Sequence, residues 1–266
     1  NNGKRPTISN KIPECYKQLI ENCWSSDISS RPSFEEIVNE LLTNQDFLIG
    51  VDKKKFKKYR NIIYKYDKLD DKKLTFDEYL QRRKNSRFNR FFPSQKVGNS
   101  NNSDDSDDDD EERNKLDVKY VDLSKYSIQN KIGEGLFGEV FLVESNEKVC
   151  VAKISKKKIN KKAEKSVNIY REASIISQLD HPCILKFIGY NNKNFDNENK
   201  PVILTEFTPN RSLYQLFEFL EKCENIKEWN ETQKLIVIYG LVSCMAYVHS
   251  KNIIHRDLKP SNILLD

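Results

Sequence analysis

Through the first 66 residues, apolar positions recur at helical spacing. Cys15, Leu19, Ile20, Cys23 and Trp24 make a stripe behind Pro13, a residue that can open a helix at its first position. Ser33 and Glu36 form an S-x-x-E capping box before a second helix, with Phe34, Ile37, Leu41 and Leu42 turned inward. Phe56, Tyr59, Ile63 and Tyr66 keep the spacing behind the basic run Lys53–Arg60. The pattern then breaks. Residues 67–92 are charged, with a short helix over Phe76–Arg83, and residues 93–118 read as disordered, because Asp104–Glu112 is acidic everywhere except Ser106 and such a run repels itself. Order returns near Tyr120. Tyr126–Lys131, Val140–Glu144 and Lys148–Ile154 read as short strands, Ala163–Leu179 as a helix, and Val202–Phe207 as a strand. Ser212–Glu221 and Glu231–Ser250 read as helices, the second capped by Asn230. No internal repeat of fixed period is present.

Composition narrows the classes. The chain has 266 residues, 37% hydrophobic and 32% charged, so a core forms while part of the chain stays unpacked. The net charge of +5 is too small to announce a nucleic-acid binder, and no nucleic-acid partner is expected. Cys15, Cys23, Cys150, Cys183, Cys223 and Cys244 make no tight pair and mostly sit among apolar residues, which argues against a disulfide scaffold or zinc site and for a cytoplasmic setting. No apolar stretch approaches the roughly 18 residues of a membrane span. Met245 is the only methionine, and Asp266 follows an apolar run directly, so the chain reads as a segment cut at both ends.

Gly133-Glu134-Gly135-Leu136-Phe137-Gly138 places three of eight glycines within six residues. Glycine lets backbone amides approach phosphate oxygens with no side chain between them. A lone G-x-G-x-x-G is weak, but here the strand-forming run Glu139-Val140-Phe141-Leu142-Val143 follows it. In a dinucleotide fold a helix would follow. The loop therefore reads as a hairpin lid over phosphates. Val151-Ala152-Lys153-Ile154 then ends a strand in a lysine among apolar residues. A half-buried ammonium calls for an anionic partner, and Glu172 on the next predicted helix supplies one together with phosphate oxygens.

His255-Arg256-Asp257-Leu258-Lys259-Pro260-Ser261-Asn262 matches H-R-D-L-x-x-x-N. Phosphoryl transfer asks a protein for positioning, charge neutralisation and a carboxylate that orients the attacking hydroxyl. Asp257 supplies the carboxylate, Asn262 offers an oxygen to Mg²⁺, and Lys259 neutralises charge on the transferring group.

These motifs together resemble the eukaryotic protein kinases over residues 126–266. The resemblance implies an α+β, protein-kinase-like fold with a small sheet lobe carrying one helix, followed by the first helices of a helical lobe. It implies that Ile132, Gly133, Glu134, Gly135, Leu136, Phe137, Gly138, Glu139 and Val140 cover ATP, and that Ala152 and Leu264 sandwich the adenine. It further implies that Lys153 holds the α- and β-phosphates beside Glu172, that Thr205 is the gatekeeper, that Glu206, Phe207 and Thr208 form the hinge, and that Ile176 joins a hydrophobic spine. The implied cofactors are ATP and Mg²⁺, and the implied partners are proteins phosphorylated on Ser or Thr in intracellular signalling. Arg256 beside Asp257 resembles kinases switched on by an upstream kinase. Lys259 is the choice of serine/threonine kinases.

Residues 1–44, through Gly3-x-Arg5-Pro6, Cys23-Trp24 and Arg31-Pro32-Ser33-Phe34, resemble the last helices of tyrosine-kinase-like enzymes, where the counterpart of Arg31 pairs with a glutamate. The expected organisation is thus the end of a first kinase domain at 1–44, a charged linker at 45–125, and a second kinase domain at 126–266 that stops before D-F-G. The competing reading is a pseudokinase or scaffold that keeps the fold for binding. Arg211 and Cys183 stand where the family commonly has glycine and asparagine. Asp67–Glu78 has acidic residues at three calcium-loop places, but Leu69 and Lys72 fall where a ligand and the turn glycine belong. His181 and His249 read as a turn residue and a packing or capping group.

Overall fold

The computed structural model describes residues 5–67, 118–135, 138–146, 148–158, 168–210, 212–222 and 229–265. The calcium-loop-like stretch, the basic run Arg82–Arg90, the acidic run and the tip residues Leu136 and Phe137 lie outside or run beyond the described residues. The chain forms two compact units: one takes in residues 1–93, 181–183 and 210–265, and the other residues 94–180 and 184–209.

The second unit is a five-stranded antiparallel sheet. β1 is Ser127–Glu134, β2 Gly138–Ser145, β3 Lys148–Ser155, β4 Phe187–Asn191 and β5 Val202–Glu206, in the order β1-β2-β3-β5-β4. β4 escapes a sequence reading because it has five residues, one of them Gly189, and its register shifts between Phe187 and Gly189. Val143, Cys150, Ala152, Ile154, Val202 and Leu204 build the core on one side of the sheet with Leu123. On the other side, Ile169, Tyr170 and Ala173 of the helix Asn168–Ile176 (here α4) pack with Val118, Tyr190 and Ile203.

The other unit is helical. In chain order it holds α1 (Glu14–Cys23), α2 (Phe34–Thr43), α3 (Lys53–Asp67), α5 (Leu213–Lys222) and α6 (Glu231–Ser250). Pro13 sits at the N-cap of α1, one place before the position expected for it. The capping box forms as the spacing predicts: the Glu36 amide donates to Ser33 Oγ at 3.2 Å and the Ser33 amide to Glu36 Oε2 at 2.6 Å. Asn230 caps α6, accepting from the amides of Thr232 and Gln233.

The first part of the expected linker is packed. Residues 45–67 are folded: Phe47, Phe56 and Ile63 are buried and share one core with Leu19, Ile37 and Leu41 of the first helices and Leu235, Tyr239 and Val242 of α6. The charge of Lys53–Arg60 conceals this, because Phe56 and Ile63 of α3 are buried while its lysines at 53–58 are exposed. The Asp52 carboxylate accepts from the amides of Lys54 and Lys55, while its own amide donates to Thr232 Oγ1 at 2.8 Å, tying the start of α3 to the start of α6. Tyr59 donates to or accepts from Cys183 Sγ at 3.4 Å, and it lies over Gly240 of α6.

Both weaker histidine readings have a physical place. His181 is buried, its Nδ1 accepting from the Cys183 amide and its ring stacked on Tyr247. His249 meets Phe34 edge to face, and burial lowers its pKa, which favours the neutral ring. Among the described residues, no helix is long and apolar enough to cross a membrane.

Candidate phosphate-binding and catalytic residues

β1 and β2 run into a tight turn in which the Gly135 amide donates to the Gly138 carbonyl at 2.8 Å. Gly138 pairs with Ser155, and a Cβ on it would stand 2.7 Å from the Ile154 carbonyl oxygen, so only glycine fits there without moving backbone. Ile132 is exposed and Val140 half-buried. Lys131 bridges Glu134 and Glu139 across the hairpin, and Lys156 of the following turn also pairs with Glu134. These two lysines hold the Glu134 carboxyl down at about 2. The two glutamates of the loop are thus neutralised locally, which leaves the backbone amides as its available charge.

Lys153 lies centrally in the sheet, opposite Val140 of β2 and Ile203 of β5. Its Nζ donates to both carboxylate oxygens of Glu172, each at 2.6 Å. The pair inferred from one lysine and one helical glutamate is therefore formed. It is open to solvent, with side-chain exposures of 35% and 48%, so an anion can reach it.

Other expected nucleotide residues are placed unequally. Thr205 is half-buried in β5 and Thr208 half-buried beyond it, while Glu206 and Phe207 are exposed. The Glu206 amide donates to the Lys186 carbonyl, and its carboxylate accepts from the Lys186 amide. Ala152 is fully buried in the sheet core, so the structure presents none of its surface to a base. Leu264 is exposed and bridges Ser212 in the helical unit. Ile176 is half-buried on α4.

In the helical unit, α6 ends at Ser250, and Asn252 turns the chain at φ 61°. Arg256 has φ 65°, a left-handed conformation that is strained for a bulky side chain and costs on the order of 1–3 kcal/mol. The sequence names Arg256 but carries no sign of this strain. It sits immediately before Asp257. The Asp257 carboxylate accepts from Lys259 Nζ at 2.9 Å and from Asn262 Nδ2 at 3.0 Å, and the same Nδ2 donates to the Asp257 carbonyl at 2.8 Å. Lys259 first, then Asn262, holds the carboxyl below its usual value. Pro260 opens the short 3-10 turn Pro260–Asn262 that brings Asn262 back to Asp257. With Nδ2 spent on Asp257, Asn262 keeps its amide oxygen for a cation.

The protein kinase domain family matches residues 126–266. An Aurora kinase of Saccharomyces cerevisiae is 32% identical over 149 residues, 55% of this chain and 38% of that protein. An Aurora kinase of Patiria pectinifera is 30% identical over 179 residues, 66% of this chain and 41% of that one. A probable serine/threonine-protein kinase of Dictyostelium discoideum is 34% identical over 148 residues, 55% of this chain and 30% of that protein. The chain spans less than half the length of each. With the glycine hairpin, the Lys153–Glu172 pair and the Asp257 loop all in place, the chain belongs to the protein kinase domain family.

Proposed function

We propose that the protein is an ATP-dependent serine/threonine kinase. The observation that carries this is the two-point pairing of Lys153 with Glu172 beside a loop where Gly138 admits no side chain. Bound nucleotide supplies the phosphoryl group, and Mg²⁺ neutralises its charge. The residues fit these groups. Gly133, Gly135 and Gly138 would let backbone amides approach phosphate with no side chain of their own between them, and Lys153, held by Glu172, would donate to the α- and β-phosphates. The Glu206–Thr208 backbone, with Thr205 beside it, would receive the base. Asn262 gives its amide oxygen to the metal.

Asp257 is ionised at neutral pH and orients the protein hydroxyl for attack, while Lys259 offsets charge on the group in transfer. The lysine two places after Asp257 supports serine and threonine over tyrosine as acceptors. The proposal extends to a tyrosine-kinase-like type and to the two-domain organisation. On that reading residues 1–44 end one kinase domain and residues 126–266 begin another. The Gly3-x-Arg5-Pro6 and Arg31-Pro32-Ser33-Phe34 motifs support it.

The test is Asp257→Asn in the full-length protein. Phosphate transfer to a serine-containing peptide should fall on the order of a hundredfold or more while ATP still binds. Wild-type turnover in this variant, or no transfer by the wild type, rejects the active-kinase reading and leaves a scaffold that keeps the fold for binding.

A further inference from the structure

The short segment ahead of the sheet does more than lead into it. Residues 118–121 lie along the open edge of β4. The Tyr190 amide donates to the Lys119 carbonyl and the Val121 amide to the Tyr190 carbonyl, both at 2.9 Å, giving a parallel bridge at Tyr120. Asn191 Nδ2 adds a bond to the Val121 carbonyl at 2.9 Å. The approach is close enough that a Cβ on Gly189 would stand 2.7 Å from Val121 Cβ.

This strap reaches α4 by two routes. Val118 is buried, 6% exposed, in the cluster that holds Ile169, Tyr170 and Ala173 of α4. Tyr120 meets Tyr190 edge to face at 5.6 Å, and Tyr190 meets Tyr170 in the same way at 5.5 Å. Ile169 and Tyr170 lie in the first described turn of α4. Glu172 stands one helical turn from Ile169 and directly before Ala173. A helix turn clamped at 169, 170 and 173 has little freedom to swing the carboxylate at 172. Sheet contacts from Tyr190 and Ile203 hold one side of that turn, and Val118 closes it.

We propose that Val118 and the strap it begins are positioning elements for the phosphate-binding pair: by wedging against the first turns of α4 they fix Glu172, and through it Lys153. The proposal rests on the kinase reading of the Lys153–Glu172 pair, though the helix it invokes can be observed without catalysis. Displacing a reacting group by about 1 Å can cost on the order of a hundredfold in rate. Loss of the wedge should therefore be felt in phosphate transfer well before the fold is lost.

The experiment uses the full-length protein and five variants, one of them Glu172→Gln alone. Val118→Ala removes the wedge, Gly189→Ala pushes the strap off β4 without touching α4, Val118→Ile restores bulk, and Val118→Ala is also combined with Glu172→Gln. Val118→Ala and Gly189→Ala should each lower kcat/KM for ATP about tenfold or more. Both should also speed amide exchange across residues 168–176 but not across β1–β3. Val118→Ile should restore wild-type values. Added to Glu172→Gln, Val118→Ala should cost nothing further, because both act through one carboxylate. Losses that multiply in the double variant, or exchange in α4 that neither alanine variant alters, overturn the proposal. A catalytically silent wild type would instead reject the kinase reading, and the exchange pattern would still decide the strap.

Discussion

Replacing Gly240 by alanine pits two effects of known size against each other. Gly240 lies inside α6, where alanine is the better helix former by about 1 kcal/mol. Opposing this, the new Cβ would fall 2.3 Å from Tyr59 Oη, 3.3 Å from Tyr59 Cζ and 3.3 Å from Cys183 Sγ. An ordinary carbon–oxygen contact needs over 3 Å, so the Tyr59 hydroxyl must retreat and loosen its contact with Cys183 Sγ. Overpacking of this kind costs about 1–3 kcal/mol, and a disturbed hydrogen bond about 0.5–1.5 kcal/mol. The clash wins, and Gly240→Ala should destabilise the helical unit by about 1–3 kcal/mol. In a Tyr59→Phe background the offending oxygen is gone and only the 3.3 Å contacts remain. There the same substitution should be neutral or stabilising by up to about 1 kcal/mol. The assay is urea denaturation of the four proteins of this double-mutant cycle, followed by tryptophan fluorescence. Both tryptophans, Trp24 and Trp229, belong to the helical unit, so the signal reports that unit alone. Equal effects of Gly240→Ala in the two backgrounds would refute the packing of α3 on α6.

Lys153→Met should reduce phosphate transfer by the full-length protein on the order of a hundredfold. Its thermal midpoint should move by no more than about 4 °C, since an ion pair this exposed contributes about 0–1 kcal/mol; comparing scanning calorimetry with a kinase assay checks both. Lys259→Ala removes the main cause holding the Asp257 carboxyl below its ordinary 3.8, so the acid limb of the pH–rate profile should move upward; an unmoved limb would mean that Asp257 is not the group titrating. Ser33→Ala should cost about 1 kcal/mol by the same tryptophan-monitored urea titration. The Ser33 amide holds the Glu36 carboxyl below its ordinary 4.5, so the contribution of the capping box is present above that value and lost as pH falls through the lower, folded one. The deficit of Glu36→Gln, which removes that carboxylate, should accordingly shrink in acid.

Much of the molecule is written locally in its sequence. Hydrophobic period gives α1, α2 and α6, the capping residues Ser33 and Asn230 give the starts of α2 and α6, and the strand-forming runs Glu139–Val143 and Lys148–Ile154 give β2 and β3, because each of these signals acts within a few neighbouring residues. The glycine hairpin and the Asp257 loop are legible for the same reason: a tight turn or a carboxylate triad closed by Pro260 is built from consecutive residues. What sequence cannot carry is adjacency between distant segments. Lys153 calls for an anion, but only the packing of α4 on the sheet brings both oxygens of Glu172 to it. Charge made Lys53–Arg60 look like linker, and only the stripe of Phe56 and Ile63 meeting Tyr239 and Leu235 shows that the helix belongs to a core. β4, too short to announce itself, exists because β5 pairs with it on one side and residues 119–121 bond to it on the other. Arg256 takes its strained left-handed conformation only in the folded loop, since no local preference of arginine favours it. In each case the deciding free energy is a contact between residues far apart in the chain, where spacing can suggest a buried face or a partner's type but cannot supply the contact itself.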